Sequence, residues 1–332
     1  MSALPDSKAL AELLTSALGP LQLSEIRRLS AGASAETWAL EAITAKREIP
    51  LILRRAAGHE RFSLANPKQL EAACQDAAGK NGVPVAQVFA VFNDEVLGEG
   101  YVMQRINGET LPPRILKEPT LAAAREKLTA QCGEILARLH ATPLTNIPGL
   151  RLQDAQVQLD DLEKFYRMAG DPLPVFELVL RWLRENAPVT TTATLVHGDF
   201  RHGNFIVNEN GIAAVLDWEL SHSGDPMEDL GWLCVNAWRF GVVDKPVGGF
   251  GQREELFAAY EKAGGQKVNV QQVLYWELFG CFKWGVICLF QAWSHLSGNV
   301  PSLERAVIGR RVSETEIDML VCLKALQEQK TS

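Results

Sequence analysis

Cysteine is sparse in this chain and follows no pattern. The six residues Cys74, Cys132, Cys234, Cys281, Cys288 and Cys322 form no Cys-x-x-Cys pair and no zinc-type spacing with histidine. Free, mostly buried thiols in a reducing cytosol are the expected state, and with them a cytoplasmic protein. A basic excess is also missing. The 33 Lys and Arg stand against 40 Asp and Glu, a net charge of −7, which argues against a nucleic-acid partner. There is no internal repeat and no low-complexity segment, so solenoid arrays are excluded. The N-terminus lacks the basic start and unbroken apolar stretch of a secretory signal, because Asp6, Lys8 and Glu12 interrupt it. Only 273–293 is apolar enough to raise the question of a membrane, and Glu277 and Lys283 lie inside it. A charge near the bilayer centre costs about 2.5–3.5 kcal/mol, so a buried core helix, with no membrane partner, is the expectation.

What remains is the composition of an ordinary enzyme, 47% hydrophobic and 22% charged, in 332 residues. That is enough for two lobes with separate cores. Residues 1–105 read as a small β-rich lobe and 106–332 as a mainly helical one, an α+β chain. Leu10, Leu13, Leu14 and Leu18 mark a first helix that Gly19 can stop. Strands are expected at 26–29, 36–43, 49–54, 85–92 and 99–103, with a helix opened by the cap Asn66 and Pro67 and stopped at Gly79. Gln104 to Gly108 is the candidate hinge. Beyond it, Thr120 is a cap candidate for a helix through Leu139, and helices are expected at 155–168 and 174–185. Asp225-Pro226-Met227-Glu228 starts another that Gly241 can end, and a capping box at Ser313 opens the last.

The most specific stretch is Leu195-Val196-His197-Gly198-Asp199-Phe200-Arg201-His202-Gly203-Asn204, followed by Leu216-Asp217-Trp218-Glu219. Apolar runs at 194–196, 205–207 and 212–216 read as short strands, with Asn210-Gly211 as a turn. One aspartate, an asparagine five residues on and a second aspartate after a hairpin are spaced as a kinase-type phosphoryl-transfer site requires. In that reading Asp199 orients the acceptor hydroxyl and takes its proton, while Asn204 and Asp217 hold Mg2+, a hard cation suited to oxygen donors. Any one of these residues beside glycine is most simply a turn residue; their joint spacing favours the catalytic reading.

Two further parts depart from the protein-kinase pattern. Arg54 ends the strand where a lysine is usual; it remains charged and can grip phosphate with two donors, and Glu71 on the following helix is its natural partner. The loop Ser30-Ala31-Gly32-Ala33-Ser34-Ala35 holds one glycine rather than three. Gly32 and Ser34 can still approach phosphate, although a plain hairpin turn explains them equally well. Asp225 is accounted for by capping, whereas Asp229, one turn on, can hold the catalytic loop or face solvent. Trp232, Trp238, Trp276, Trp284 and Trp293 fit either a helical core or an acceptor wall.

At these residues the chain resembles the aminoglycoside phosphotransferase family, small-molecule kinases of the protein-kinase-like, bilobal fold. The points of similarity are 196–204, Val215-Leu216-Asp217-Trp218-Glu219 and Gly224-Asp225-Pro226. Asp217-Trp218-Glu219-Leu220-Ser221, Arg54 after an apolar strand, and Tyr101-Val102-Met103 resemble most closely the kinase-like domains fused to acyl-CoA dehydrogenases and their free-standing bacterial relatives. The resemblance implies ATP- and Mg2+-dependent phosphorylation of a small-molecule hydroxyl, with hydroxyacyl-CoA as one acceptor. It implies Asp199 as the catalytic residue, Asn204 and Asp217 as metal ligands, and Gly32, Ser34, Arg54, Glu71 and Gln104 around the nucleotide. A nucleotide-binding module without turnover is the alternative. A protein kinase is disfavoured, since little chain separates Asp217 from Gly224-Asp225-Pro226 and no Ala-Pro-Glu follows.

Overall fold

In the computed structural model, which describes residues 4–31, 35–56 and 65–331, the N-terminal part is one antiparallel sheet between two helices. Its strands are β1 (Leu21–Ala31), β2 (Ala35–Thr44), β3 (Glu48–Ala56), β4 (Val88–Asp94) and β5 (Gly98–Gln104), in the order β1-β2-β3-β5-β4. Successive side chains on a strand point to opposite faces, and that alternation assigns each residue its helix. Trp38, Leu40, Leu51, Leu53 and Val102 pack with Leu10 and Leu14 of helix α1 (Ser7–Leu18). Ala39, Ile52, Tyr101 and Met103 turn the other way, toward Ala72 of helix α2 (Lys68–Lys80). Arg54 lies two positions past Ile52 and pairs in register with Tyr101, so it emerges on the α2 face. Gly32 and Ser34 lie outside the described residues.

The start of α2 differs from expectation. Asn66 caps nothing; its backbone N–H donates to Glu219 O and its Nδ2 to Ser221 O, both at 2.7 Å. A side chain able to satisfy a helix end instead fastens that end to the loop after Asp217.

The rest of the chain is mainly helical: α3 (Pro112–Lys117), α4 (Ala122–Arg125), α5 (Leu128–His140), α6 (Ala155–Ala169), α7 (Pro174–Glu185), α8 (Met227–Cys234), α9 (Arg253–Lys262), α10 (Val270–Leu296), α11 (Leu303–Gly309) and α12 (Val312–Thr331). Between α7 and α8 lie β6 (Thr194–Val196), β7 (Phe205–Asn208), β8 (Gly211–Val215) and β9 (His222–Gly224), paired as β6 with β9 and β7 with β8. Helix boundaries moved in three places. A 3-10 turn at Pro119–Leu121 and the short α4 precede α5, so Thr120 does not cap it. α8 stops at Cys234 rather than Gly241, because Val235 is extended (ψ 135°). α12 begins at Val312, ahead of the Ser313 box.

α10 is the central post of this part. It is the one helix among the described residues long and apolar enough to cross a membrane, yet 78% of its apolar window is buried in the protein. Its buried Glu277 accepts from Arg239 at 2.8 Å and Arg253 at 2.6 Å. Pairing of that kind is what a charge in a core requires.

Candidate active site

Two short ladders position the central motif. The loop 197–204 leaves β6 and enters β7, and Asp217 follows β8 and precedes β9. Both loops are therefore anchored at both ends by backbone pairing, and they are stitched together where Leu216 N donates to Asn204 O at 2.8 Å. The hinge segment joins the same platform, since Glu109 and Val207 exchange backbone bonds of 2.8 and 2.9 Å. Gly108 is needed for that approach: at φ 156° a Cβ there would meet Ile206 Cγ2 at 2.5 Å and Val207 O at 2.8 Å.

Asp199 is held by three side chains. Its Oδ1 accepts from Arg201 Nε and from Trp232 Nε1, both at 2.9 Å. Its Oδ2 accepts from Asn204 Nδ2 at 2.6 Å. These donors fix the carboxylate while 15% of the side chain stays exposed, as a group that must meet a substrate requires. The loop backbone is held from below by Asp229, fully buried on α8, whose oxygens accept from His197 N at 2.8 Å and Gly198 N at 3.0 Å. Burial pushes the Asp229 carboxyl up, but His140, with Nε2 at 3.2 Å, and His197 outweigh it and hold it below the usual carboxylate range. The expectation that Asp229 holds the loop is what the geometry displays.

His197 does not face the cleft. Its Nε2 donates to Leu216 O at 3.0 Å and its Nδ1 accepts from Asp199 N at 3.2 Å. That pattern is a neutral imidazole, and burial pushes its pKa down despite Asp229, Asp199 and Asp217 nearby. Gly198 sits at φ 76°, where a Cβ would meet Leu220 O at 2.5 Å.

The opposite wall of the cleft is a cluster of charges. Arg54 Nη2 donates to Asp217 Oδ1 at 2.9 Å. Its Nε lies 2.9 Å from Glu71 Oε1 but off the line of its N–H, so this contact is an ion pair rather than a hydrogen bond. Glu71 is bonded instead by Tyr101 Oη (2.7 Å) and by Lys68 Nζ (2.5 Å). Glu219 Oε2 lies 3.7 Å from Lys68 and 4.0 Å from Arg54. Asp217 holds a left-handed backbone at φ 66°, a conformation that costs a non-glycine residue about 1–3 kcal/mol and is concentrated at functional sites. Burial pushes its carboxyl up, and Arg54, Lys68 and Arg201 outweigh that and hold it below the usual range.

The structure thus brings Asp199, Asn204, Asp217, Arg54 and Glu71 into one cleft. Gln104 ends β5, exposed, with its N–H on Gln87 O at 2.8 Å. Sequence reasoning assigned no role to Lys68, Arg201 and Glu219, and it offered Trp232 as core or acceptor wall without its hydrogen bond to Asp199. The spacing of Lys68 and Glu71 along a helix was a usable signal for the first; the grip of Trp232 on Asp199 had none, because 33 residues separate them. Asp225, expected to cap, accepts from Met227 N at 2.9 Å and also from Trp276 Nε1 at 2.9 Å.

Asn204 and Asp217 fit a divalent cation. Both offer oxygen, and among the described residues no three His, Cys, Asp or Glu side chains converge as a protein-only cage. Mg2+ takes few protein ligands and completes its shell with phosphate and water.

Comparison with known proteins bears on the family and the fold. Residues 25–265 match the model of the phosphotransferase enzyme family. Acyl-CoA dehydrogenase family member 10 of Mus musculus is 30% identical over 197 residues, 56% of this chain and 18% of that protein. Family member 11 of Homo sapiens is 34% identical over 170 residues, 47% of this chain and 21% of that protein. The match thus spans about a fifth of the length of these relatives. Among solved structures, a Ralstonia eutropha protein described as a candidate aminoglycoside phosphotransferase superposes with a TM-score of 0.73 at 22% identity, covering 96% of this chain and 98% of that one. An ethanolamine kinase of Plasmodium vivax gives a TM-score of 0.58 at 12% identity, covering 88% and 81%. These likenesses show the kinase-like fold.

Proposed function

Since this chain belongs to the phosphotransferase enzyme family, a family of small-molecule kinases, we propose that it transfers the terminal phosphoryl group of ATP to a hydroxyl. The working division assigns residues 1–105 to the nucleotide and 106–332 to the acceptor. Asp199 orients the hydroxyl and takes its proton; Arg201 and Trp232 keep its carboxylate in place while it does so. Phosphoryl transfer asks a protein mainly to position groups and to stabilise charge. Arg54, steadied by Glu71, supplies positive charge to the nucleotide phosphates, with Gly32, Ser34 and Gln104 as the remaining contacts. Asn204 and Asp217 would hold Mg2+, which when bound neutralises charge developing on the phosphate oxygens.

The observation that carries this reading is the stitched pair of loops, in which Asp199 Oδ2 meets Asn204 Nδ2 at 2.6 Å and Leu216 N meets Asn204 O at 2.8 Å. Base and metal donors are thereby fixed relative to each other. Binding without turnover is the rival reading, favoured by the direct Arg54–Asp217 contact of 2.9 Å, which nucleotide and metal must break.

Hydroxyacyl-CoA is the acceptor we infer, because the relatives in which this segment recurs are named acyl-CoA dehydrogenases. The test is mass-spectrometric detection of phosphate transfer from ATP and Mg2+ to hydroxyacyl-CoAs, choline, amino sugars and aminoglycosides. A product formed by the wild type and absent with Asp199→Asn establishes the kinase and its acceptor. Nucleotide binding without product on any acceptor favours the rival.

A further inference from the structure

Three successive peptide groups lead into Asp199, and each is held by a side chain. Asp229 takes the first two, accepting from His197 N at 2.8 Å and from Gly198 N at 3.0 Å. The third joins Gly198 to Asp199. Its carbonyl accepts from Lys283 Nζ of α10 at 2.9 Å, and its N–H donates to His197 Nδ1 at 3.2 Å. This third group has the most freedom to lose, because Gly198 stands at φ 76° and glycine restrains the peptide beside it less than any other residue. Gripped at both its oxygen and its N–H, the peptide is kept from rotating, and the Cα of Asp199 is set with it.

Lys283 also bears on the carboxylate end of Asp199. Its Nζ lies 4.7 Å from the centroid of the Trp232 ring, within the range in which an indole face attracts an ammonium. The same indole donates its Nε1–H to Asp199 Oδ1 at 2.9 Å. One ammonium therefore touches both the peptide that precedes Asp199 and the ring that holds its carboxylate. The arrangement is destabilising in itself. Lys283 is only 7% exposed, and among the described residues no carboxylate forms an ion pair with it. Glu277, the other buried charge of α10, is by contrast paired with two arginines. An apolar side chain would serve a core helix better than an uncompensated charge, so the lysine is explained by what it holds.

We propose that Lys283 is a positioning residue for Asp199, acting on its backbone through Gly198 and on its carboxylate through Trp232. The effect on turnover rests on the kinase reading above, in which Asp199 is the base. Phosphoryl transfer depends on groups fixed before the reaction begins. Lysine performs both tasks with one side chain, since it makes a charge-assisted bond to the carbonyl and presents a cation to the ring. Methionine, of similar length, offers neither.

The test compares the full chain with Lys283→Met, Lys283→Arg, Trp232→Phe and the Lys283→Met, Trp232→Phe double variant in two measurements. The first needs no substrate: amide hydrogen exchange, read by mass spectrometry, over the loop 197–204. Lys283→Met should speed exchange there by at least about tenfold while β7, β8 and α10 stay within about twofold. Lys283→Arg, which keeps the donor and the cation, should stay near the wild type. The second is steady-state phosphate transfer from ATP and Mg2+ to whichever hydroxyacyl-CoA, choline, amino sugar or aminoglycoside yields product. Lys283→Met should lower kcat by about 10–100-fold, the scale of a small misplacement of a reacting group, with ATP affinity within about twofold. In the double variant the loss should be smaller than the product of the two single losses, because the indole bond that Lys283 supports is already gone. Unchanged exchange at 197–204 overturns the proposal, and so does a double variant that multiplies the single losses. Equal acceleration of the loop and α10, or a parallel fall of kcat and ATP affinity, also overturns it, since a lysine that only stabilises the core would produce either. An arginine variant as impaired as the methionine one counts against it. If Lys283→Met does not fold, Lys283→Gln, whose side chain is one atom shorter and uncharged, is read against the same outcomes. If the wild type yields no product on any acceptor, the phosphotransferase reading fails and the exchange measurement alone decides the positioning.

Discussion

On one side of the cleft Arg54, Lys68, Glu71, Asp217 and Glu219 meet one another as charges, with three carboxylates facing two cations. On the other side Asp199 is held by an indole, an amide and one guanidinium, over a backbone fixed by Asp229 and Lys283. The two walls solve different problems. In the proposed reaction the first receives a nucleotide and a metal, so its contacts have to be exchangeable, and Arg54, Lys68, Glu71 and Glu219 each have a second ionic partner within 4.0 Å. The second must present one oxygen in one place, and each bond that fixes it is directional and specific. Donors fixed before reaction need no reorganisation during it, which is where much of catalysis is found.

The largest effect that would test this contrast is on turnover. Asp199→Asn keeps the shape of the loop and removes the proposed base, so turnover is expected to fall by about 10²–10⁴-fold with nucleotide affinity unchanged. Near-normal turnover in a stopped assay would remove Asp199 from the mechanism. A matching loss of nucleotide affinity would show that the walls are not separable.

Stability is the next measure. Asp229→Asn leaves His197 N, Gly198 N and His140 facing a group that cannot serve them all, and breaking a buried charged set of this kind costs about 3–5 kcal/mol. Glu71→Gln, on the exchangeable wall, should cost less, about 1–3 kcal/mol. Lys68 and Arg54 keep Glu219 and Asp217 at 3.7 and 2.9 Å. Urea denaturation of both variants decides it; equal losses would break the contrast.

What could be read from the sequence follows the same division. The central motif was legible because its parts lie close in the chain and the proposed chemistry limits the spacing: Asp199 and Asn204 of one wall and Asp217 of the other lie within 19 residues, between strands that formed where expected. Arg54 and Glu71 were legible as a pair because a kinase-type site asks for a cation at the end of that strand and an acid on the following helix. The rest depends on contacts between distant segments. Trp232 reaches Asp199 from α8 and Lys283 reaches Gly198 from α10, 85 residues away, and no local pattern announces either. Asn66 was misread for the same reason: its sequence context favours a cap, while its tertiary partner, Ser221, is 155 residues distant.

A smaller effect sharpens the description of the charged wall. Arg54→Lys retains the charge but not the fork that now spans Glu71 and Asp217. Nucleotide affinity measured by calorimetry should weaken by about tenfold, the scale of one charge-assisted hydrogen bond. Unchanged affinity would mean that only the charge matters there, and that the departure from lysine has no geometric consequence.

The smallest effect concerns pH, and it has opposite signs on the two walls. Beneath the catalytic loop, His222 pairs with Glu228 at 3.0 Å. Burial pushes its imidazolium down, but Glu228 and the Leu220 carbonyl outweigh that and raise its pKa above the ordinary value, which is about 6.5. A group whose folded pKa is raised contributes stability fully below its unfolded pKa and loses it as pH rises through the folded value. The advantage of wild type over His222→Gln in urea should therefore be full below about pH 6.5 and shrink as pH rises above it. Asp217 runs the other way: Arg54 and Lys68 hold it low against burial, so its contribution is present above about pH 3.9 and is lost as pH falls. Loss from the catalytic wall on the alkaline side and from the charged wall on the acid side is the expected pattern. An advantage over His222→Gln that grows with pH would mean that the neutral imidazole is the stabilising form, and the buried pair would then be a hydrogen bond without charge.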